Sequence, residues 1–259
     1  EFFRKQWLPG IGERVESVQR HEGARIFREV PASRVAAALE GAVFRNAEAH
    51  GKQLCFRFSG DVWLGIHLGM AGKLLTAHAE MVAGRHEHLV LVTPKRALVF
   101  ADYRMFGRVR LHQGVEPPEW WRNLPPQPHD GAFTRRYFQS LLERFPKRPL
   151  KAFLLTQEAF PGIGNWMADE ILWRARIHPA TRPEQLGTRR ASRLFLHIRE
   201  VSQDALEVIG RNWGDPPESW LFPHRWKRSG RCPASGKPLR WETIGGRTTC
   251  FSPALQKEI

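Results

Sequence analysis

The sequence predicts an α+β protein, with a sheet-rich first half, a helical second half and a small closing β-hairpin. Three observations carry that expectation. Between 42 and 112, the runs "KQLCFRF", "DVWLGIHLG", "KLLTAH", "EHLVLVT", "RALVFAD" and "RVRLH" alternate or run apolar, with Gly and Pro between them. After the Pro-rich stretch "GVEPPEWWRNLPPQPHDG" (114–131), helical patterns dominate. The tail "RCPASGKPLRWETIGGRTTCFSPALQKEI" (231–259) has the outline of two strands around a Gly-Gly tip.

Taken in order, "EFFRKQWL" (1–8) reads as a helix whose apolar stripe is Phe2, Phe3 and Trp7. "PASRVAAALEGA" (31–42) is a short helix, with Pro31 and Ser33 at its start and Gly41 at its stop. The strand runs follow. The second half offers "TRRYFQSLLERF" (134–145), "RPLKAFLLTQEA" (148–159), "NWMADEILWRARI" (165–177) and "RRASRLFLHIREVSQDALEVIGR" (189–211) as helices. These readings place a first domain at 1–113, a linker at 114–131, a helical domain at 132–225 and the hairpin at 226–259.

The chain has 259 residues, 42% of them apolar, which is enough for two modest cores and speaks against disorder. Its net charge of +14 suits a polyanion, nucleic acid first and an acidic membrane surface second. Three scattered cysteines make no disulfide framework, and a reducing, cytoplasmic setting fits them. No apolar run approaches a membrane span.

Chemistry concentrates in three stretches. In "FPGIGNWMADEILWRARIHP" (160–179), Gly162 and Gly164 permit a tight turn, and Asn165 reads as the N-cap of the next helix. Asp169 and Glu170 favour the start of that helix, and such a turn can grip a phosphate. "GIHLGMAGKL" (65–74) sets Met70 between glycines, and "DYRMFGRVRL" (102–111) puts Arg104 and Phe106 on one side of an extended segment. Projecting from loops, an Arg, a Met and a Phe can wedge into a duplex and replace an extruded base. Periodicity alone reads Met70 and Phe106 as ordinary core residues. "HEH" (86–88) offers only two ligands and is no metal site.

With "GKQL" (51–54), "HLGMAG" (67–72), "HEHLVL" (86–91), "DYRMFG" (102–107), "GIGNWMADEILWRARIHP" (162–179) and "GGRTTCFSPALQ" (245–256) in this order, the chain resembles the formamidopyrimidine-DNA glycosylase / endonuclease VIII family over nearly its whole length. The resemblance implies an N-terminal β-sandwich domain with flanking helices and a helix–two-turn–helix domain, with DNA in the cleft between them. It implies excision of oxidised bases, then β- and δ-elimination at the abasic site, in base excision repair. The partner is double-stranded DNA containing an oxidised base or an abasic site, with no cofactor, and the protein is expected to be a monomer.

Carried over by that resemblance, Lys52 matches the lysine that touches phosphate near the lesion and assists the reaction. His67 matches a residue bordering the phosphate track. Met70, Arg104 and Phe106 match the trio that fills the void left by the flipped nucleotide. Asn165 matches the phosphate-gripping Asn of the helix–turn motif, and Arg247 matches the arginine at the finger's tip. The family's nucleophile is the amine of an N-terminal proline followed by a glutamate, a group suited to the task because an α-amino pKa lies near 8. The first proline here is Pro9, so Met-Pro-Glu is expected to precede Glu1. The other explanation is a late start and a catalytically silent binder of damaged or abasic DNA. A third reading, an RNA-binding protein built on the same helix–turn unit, fits the wedging trio poorly.

Tyr103 and Met105 replace a proline and a second arginine of the family pattern. The finger departs most. Ser235, Ser252 and Leu255 stand where three of the four zinc ligands belong, so the expectation is a zincless hairpin presenting Arg247. Trp241, Phe251, Pro253 and Leu255 are expected to hold it as an apolar cluster. The stretch 212–230 is expected to help form the lesion pocket, and its sequence leaves lesion preference open between oxidised purines and pyrimidines.

Overall fold

The computed structural model describes residues 1–211 and 213–258. The chain divides into two compact units, Glu1–Leu124 and Pro125–Ile259.

The first unit opens with α1 (Phe2–Trp7), followed by β1 (Ser17–Arg20), α2 (Ala32–Leu39), β2 (Phe44–His50), β3 (Gln53–Phe58), β4 (Val62–His67), β5 (Lys73–Ala77), β6 (Glu87–Val92), β7 (Ala97–Ala101), β8 (Arg108–Gln113) and α3 (Glu119–Arg122). The strands form two four-stranded antiparallel sheets, ordered β1-β6-β7-β5 and β2-β3-β4-β8. Phe44, Phe56, Phe58, Leu64 and Ile66 of one sheet share a buried core with Leu74, Leu89, Leu91 and Phe100 of the other. This is the β-sandwich that the family resemblance implies. Trp7 belongs to that core, its ring 4.7 Å from Phe56 and its indole N–H donating to the Val99 carbonyl at 3.3 Å. A helix too short to persist alone is thereby fixed by one aromatic anchor.

Two strands escape the alternation rule. β1 buries only Val18 fully, and β2 carries a register shift between Phe44 and Asn46 that breaks its period. Within the stretch expected as a linker, α3 lies against the second sheet. A Cβ on Gly65 would come within 2.6 Å of the Trp120 ring, so glycine is what allows the indole to sit there.

The second unit contains α4 (Arg135–Arg144), α5 (Leu150–Leu154), α6 (Asn165–Ala175), α7 (Thr188–Ala205), β9 (Arg240–Ile244) and β10 (Arg247–Phe251). Thr134 caps α4, its hydroxyl accepting the Tyr137 N–H at 3.2 Å. α5 is shorter than its apolar pattern suggests, because the chain turns at Thr156, whose carbonyl takes the N–H groups of Ala159 and Phe160. The helices close on an aromatic core in which Phe133 stacks on Phe195 at 5.7 Å and Phe153 meets Phe160 edge-on at 4.7 Å. The strands β9 and β10 pair around Gly245-Gly246, both at positive φ (59° and 76°), the geometry that tight hairpin turns require. A Cβ on Gly245 would stand 2.6 Å from the Ala152 Cβ, so the hairpin's tip rests on α5. Asn212, the first residue of the stretch expected beside the lesion pocket, lies outside the described residues, as does Ile259.

Candidate nucleic-acid interface

In the first unit, Lys52 and His67 stand at neighbouring strand ends, Lys52 in the two-residue turn between β2 and β3 and His67 closing β4 opposite Gln53. Lys52 is exposed. The His67 imidazole is held below its ordinary pKa of 6.5, first by burial and then by the charges of Arg108, Lys52, Arg110 and Arg28. It is therefore neutral at neutral pH, and its Nδ1 accepts the Gly69 N–H at 3.1 Å. The charges of Arg108, Lys52, Arg110 and Arg28 thus surround an uncharged ring.

The loop carrying Arg104 and Phe106 is organised by one buried carboxylate. Asp102 accepts the Arg104 N–H at 3.2 Å through Oδ1 and the Gly107 N–H at 2.6 Å through Oδ2. Its own carbonyl takes the Met105 N–H at 3.1 Å, which holds Met105 at φ 52°. Arg28 Nη1 donates to the Gly107 carbonyl at 2.7 Å and closes the loop's far end. The Arg104 guanidinium lies 4.7 Å from the centre of the Phe106 ring. Met70 is 71% exposed and Phe106 42% exposed, so neither is the core residue that periodicity alone suggests.

Gly69 joins the two loops. It sits at φ 65°, and a Cβ there would lie 2.6 Å from the Phe106 carbonyl carbon and 2.8 Å from the Gly107 nitrogen. The turn bearing Met70 therefore packs directly on the backbone of the Phe106 loop, and the structure brings Met70, Arg104 and Phe106 together.

His88, like His67, is held below 6.5 mainly by burial, with its Nε2 3.0 Å from the Asp102 carbonyl oxygen. A folded state that binds fewer protons than the unfolded chain gains stability as pH rises. The stability of this unit should accordingly fall as pH drops below 6.5 toward 5, before ordinary carboxylates titrate. Urea midpoints across that window check this, and His67→Asn should flatten the dependence.

In the second unit, the turn before α6 uses Gly162 at φ 94°. Gly164, not Asn165, is the N-cap, and Asn165 is the first residue of the helix with no capping bond. The Asn165 side chain turns instead to the hairpin, its Nδ2 donating to the Thr248 carbonyl at 3.0 Å. Arg247 opens β10, exposed, and among the described residues its guanidinium is in no ion pair.

Asp169 is not a simple helix-start acid either. It is 1% exposed and faces the hairpin. Lys151 Nζ donates to its Oδ1 at 2.5 Å, Arg225 Nη2 to its Oδ2 at 2.7 Å, and the Cys250 N–H to the same Oδ2 at 3.1 Å. Burial pulls the Lys151 pKa down, and the Asp169 charge opposes that pull. Further ties come from Gln256, which donates to the Ile177 carbonyl at 2.9 Å, and from Trp241, whose N–H reaches the Arg225 carbonyl at 3.0 Å.

The hairpin's apolar cluster centres on Cys232 and Cys250 with Trp173, Leu221 and Leu239, and Trp241 and Leu255 pack against it. Phe251 is buried edge-on against His178 at 4.8 Å. The zinc ligands of the resembled finger would be Cys232, Ser235, Ser252 and Leu255, and a leucine cannot ligate, so the set does not fit a tetrahedral zinc site. Among the described residues no group of three or more metal-ligating side chains converges. Burial drives the Cys250 thiol up to about 12. Burial also raises Cys232, but bonds from Ser235, Ser252 and Trp173 outweigh it and hold that thiol below its usual value.

Residues 2–109 match the formamidopyrimidine-DNA glycosylase N-terminal domain, and residues 124–214 match the H2TH domain of the same proteins. The formamidopyrimidine-DNA glycosylase of Symbiobacterium thermophilum is 36% identical, covering 95% of this chain and 83% of its own. The chain belongs to the formamidopyrimidine-DNA glycosylase family. The Thermus thermophilus member is 35% identical, covering 90% of each chain. The Lactococcus lactis formamidopyrimidine-DNA glycosylase, solved with a DNA containing an oxidised pyrimidine, superposes with a TM-score of 0.87 at 25% identity, over 99% of this chain and 97% of that one. The same protein solved with a FAPY-dG-containing DNA gives a TM-score of 0.87 at 26% identity, with the same coverage. Asp102, Gly69, Lys151 and Arg225 carry no local sequence signal of their positioning role, and Asp169 reads from sequence only as a helix-start acid.

Proposed function

We infer that this chain is a DNA glycosylase that removes oxidised bases from duplex DNA and then opens the abasic strand as a lyase. The observation that supports this most directly is the exposed trio of Met70, Arg104 and Phe106, locked together through Gly69 and Asp102. Apolar and cationic tips on a rigid base can fill a base stack once a nucleotide is extruded. Lys52 and His67 are assigned to the phosphates beside the lesion, Lys52 assisting the reaction by placing a cation near the sugar. Asn165 and Arg247 are assigned to backbone phosphates, and the Asn165–Thr248 bond sets the helix turn and the hairpin in one register. In the proposed chemistry an amine supplied by a proline preceding Glu1 attacks the sugar carbon as the base departs. The C1′–O4′ bond then opens, its oxygen taking a proton, to leave a Schiff base. Loss of a C2′ proton expels the 3′ phosphate by β-elimination, and δ-elimination expels the 5′ phosphate. The proposed setting is the cytoplasm, at the nucleoid. No described helix is long and apolar enough to cross a membrane.

The test is borohydride trapping with the protein carrying its complete native N-terminus, on duplexes carrying oxidised purines or pyrimidines. A covalent protein–DNA adduct and released base are expected. Tight binding without adduct or base release across the panel would make the protein a binder of damaged DNA instead.

A further inference from the structure

Four arginines gather at the end of α6 opposite Asn165. Arg176 caps α6, and Arg189, Arg190 and Arg193 occupy the first turns of α7. Arg176, Arg189 and Arg190 are exposed, and among the described residues none of the four is in an ion pair. Their charges act on one another: burial and then Arg190, Arg176 and Arg189 pull the Arg193 guanidinium below its usual value. The Arg193 Nε is buried without a hydrogen-bond partner.

Each feature works against the isolated fold. Arg189 and Arg190 stand where the helix dipole favours acids, and the first turn of α7 has none. Arg176 adopts φ 51° and ψ 45°, a conformation that L residues other than Asn and Asp rarely take. Like charges held together without an acidic partner among the described residues raise a local positive potential that favours an external polyanion. With 11 residues in α6, this surface lies about 16 Å along the helix from Asn165. It is therefore distinct from the phosphate contact assigned to that residue.

We propose that Arg176, Arg189, Arg190 and Arg193 form a second, lesion-independent surface for the phosphate backbone of duplex DNA. The inference rests on the reading that the chain engages duplex DNA, and goes beyond it by assigning a second duplex to the opposite end of α6. Two duplexes on one chain would allow transfer between DNA segments during search. A lipid surface is the poorer match, because Leu196 is the single large exposed apolar side chain on α7 among the described residues.

The full chain is first saturated with a duplex carrying a stable abasic analogue, then titrated with a fluorescent undamaged duplex. Uptake of the second duplex is expected, with log K falling by about 3 to 4 per decade of salt for up to four phosphate contacts. Arg189→Glu/Arg190→Glu should weaken that uptake at least tenfold. It should leave binding of the abasic duplex intact and melt no earlier than wild type, since acids suit a helix start. No uptake by the saturated protein, equal uptake by the double variant, or arginine-dependent binding of anionic vesicles in preference to the duplex would overturn the proposal. Should the abasic duplex itself fail to bind, the undamaged duplex titrated alone must still depend on these arginines.

Discussion

Asp169→Ala is expected to destabilise the second unit by about 3–5 kcal/mol, the usual consequence of stripping the acid from a buried ion-pair group. Lys151 is completely buried and Arg225 nearly so, and both lose their carboxylate while staying out of water. The Cys250 N–H loses its acceptor in the same step, which frees the strand that begins with Arg247. Urea unfolding measures the first effect, and amide exchange of β10 measures the second. DNA binding supplies a third reading. Arg247→Ala should lower the salt slope of log K by about one, as one lost phosphate contact does. Asp169→Ala should reproduce part of that loss although Asp169 never meets solvent. Replacing all three partners by Met, Leu and Met should recover much of the stability, because apolar side chains substitute well for a buried ion pair. It should not restore the Arg247 contact, because no acceptor for Cys250 returns. A loss below about 1 kcal/mol in Asp169→Ala would show that the apolar cluster alone holds the hairpin.

That division of labour explains what was legible in the sequence. Strands with an unbroken pattern, such as β3 and β4, announce themselves, whereas β1 and β2 are short or bulged and do not. The apolar staple around Trp241 and Leu255 is legible, since each is an apolar residue in a polar tail. The ionic staple is not. Arg225 lies 56 residues from Asp169 and Cys250 lies 81, so nothing local marks the acid as a hub. Asn165 shows the same limit. Its position after two glycines fits an N-cap, yet a bond to Thr248, 83 residues away, determines where its amide points. Met70 and Phe106 invert the usual error. Their spacing suits a core, and only their place in recognisable stretches marks them as exposed tips.

Gly69→Ala is expected to impair base extrusion more than removal of the wedge itself. The new Cβ would meet three backbone atoms of Phe106 and Gly107 between 2.6 and 2.8 Å, and backbone cannot rotate aside as a side chain can. The φ of 65° adds a second penalty for any residue with a Cβ. Overpacking of this kind destabilises by about 1–3 kcal/mol. The cheapest relief is for the two loops to part, which separates Met70 from the Arg104–Phe106 pair. Met70→Ala should leave stability unchanged, since that side chain is mostly in water, and should lower the extrusion rate through lost stacking. Gly69→Ala should lower extrusion at least tenfold further, because it displaces Phe106 and Arg104 along with Met70. Neither variant removes a charge, so both should keep the wild-type salt slope on undamaged duplex. Stopped-flow fluorescence of a base analogue beside the lesion measures extrusion in all three proteins. A Gly69→Ala protein that flips the base as fast as Met70→Ala would show that the trio acts as independent tips rather than as one rigid wedge.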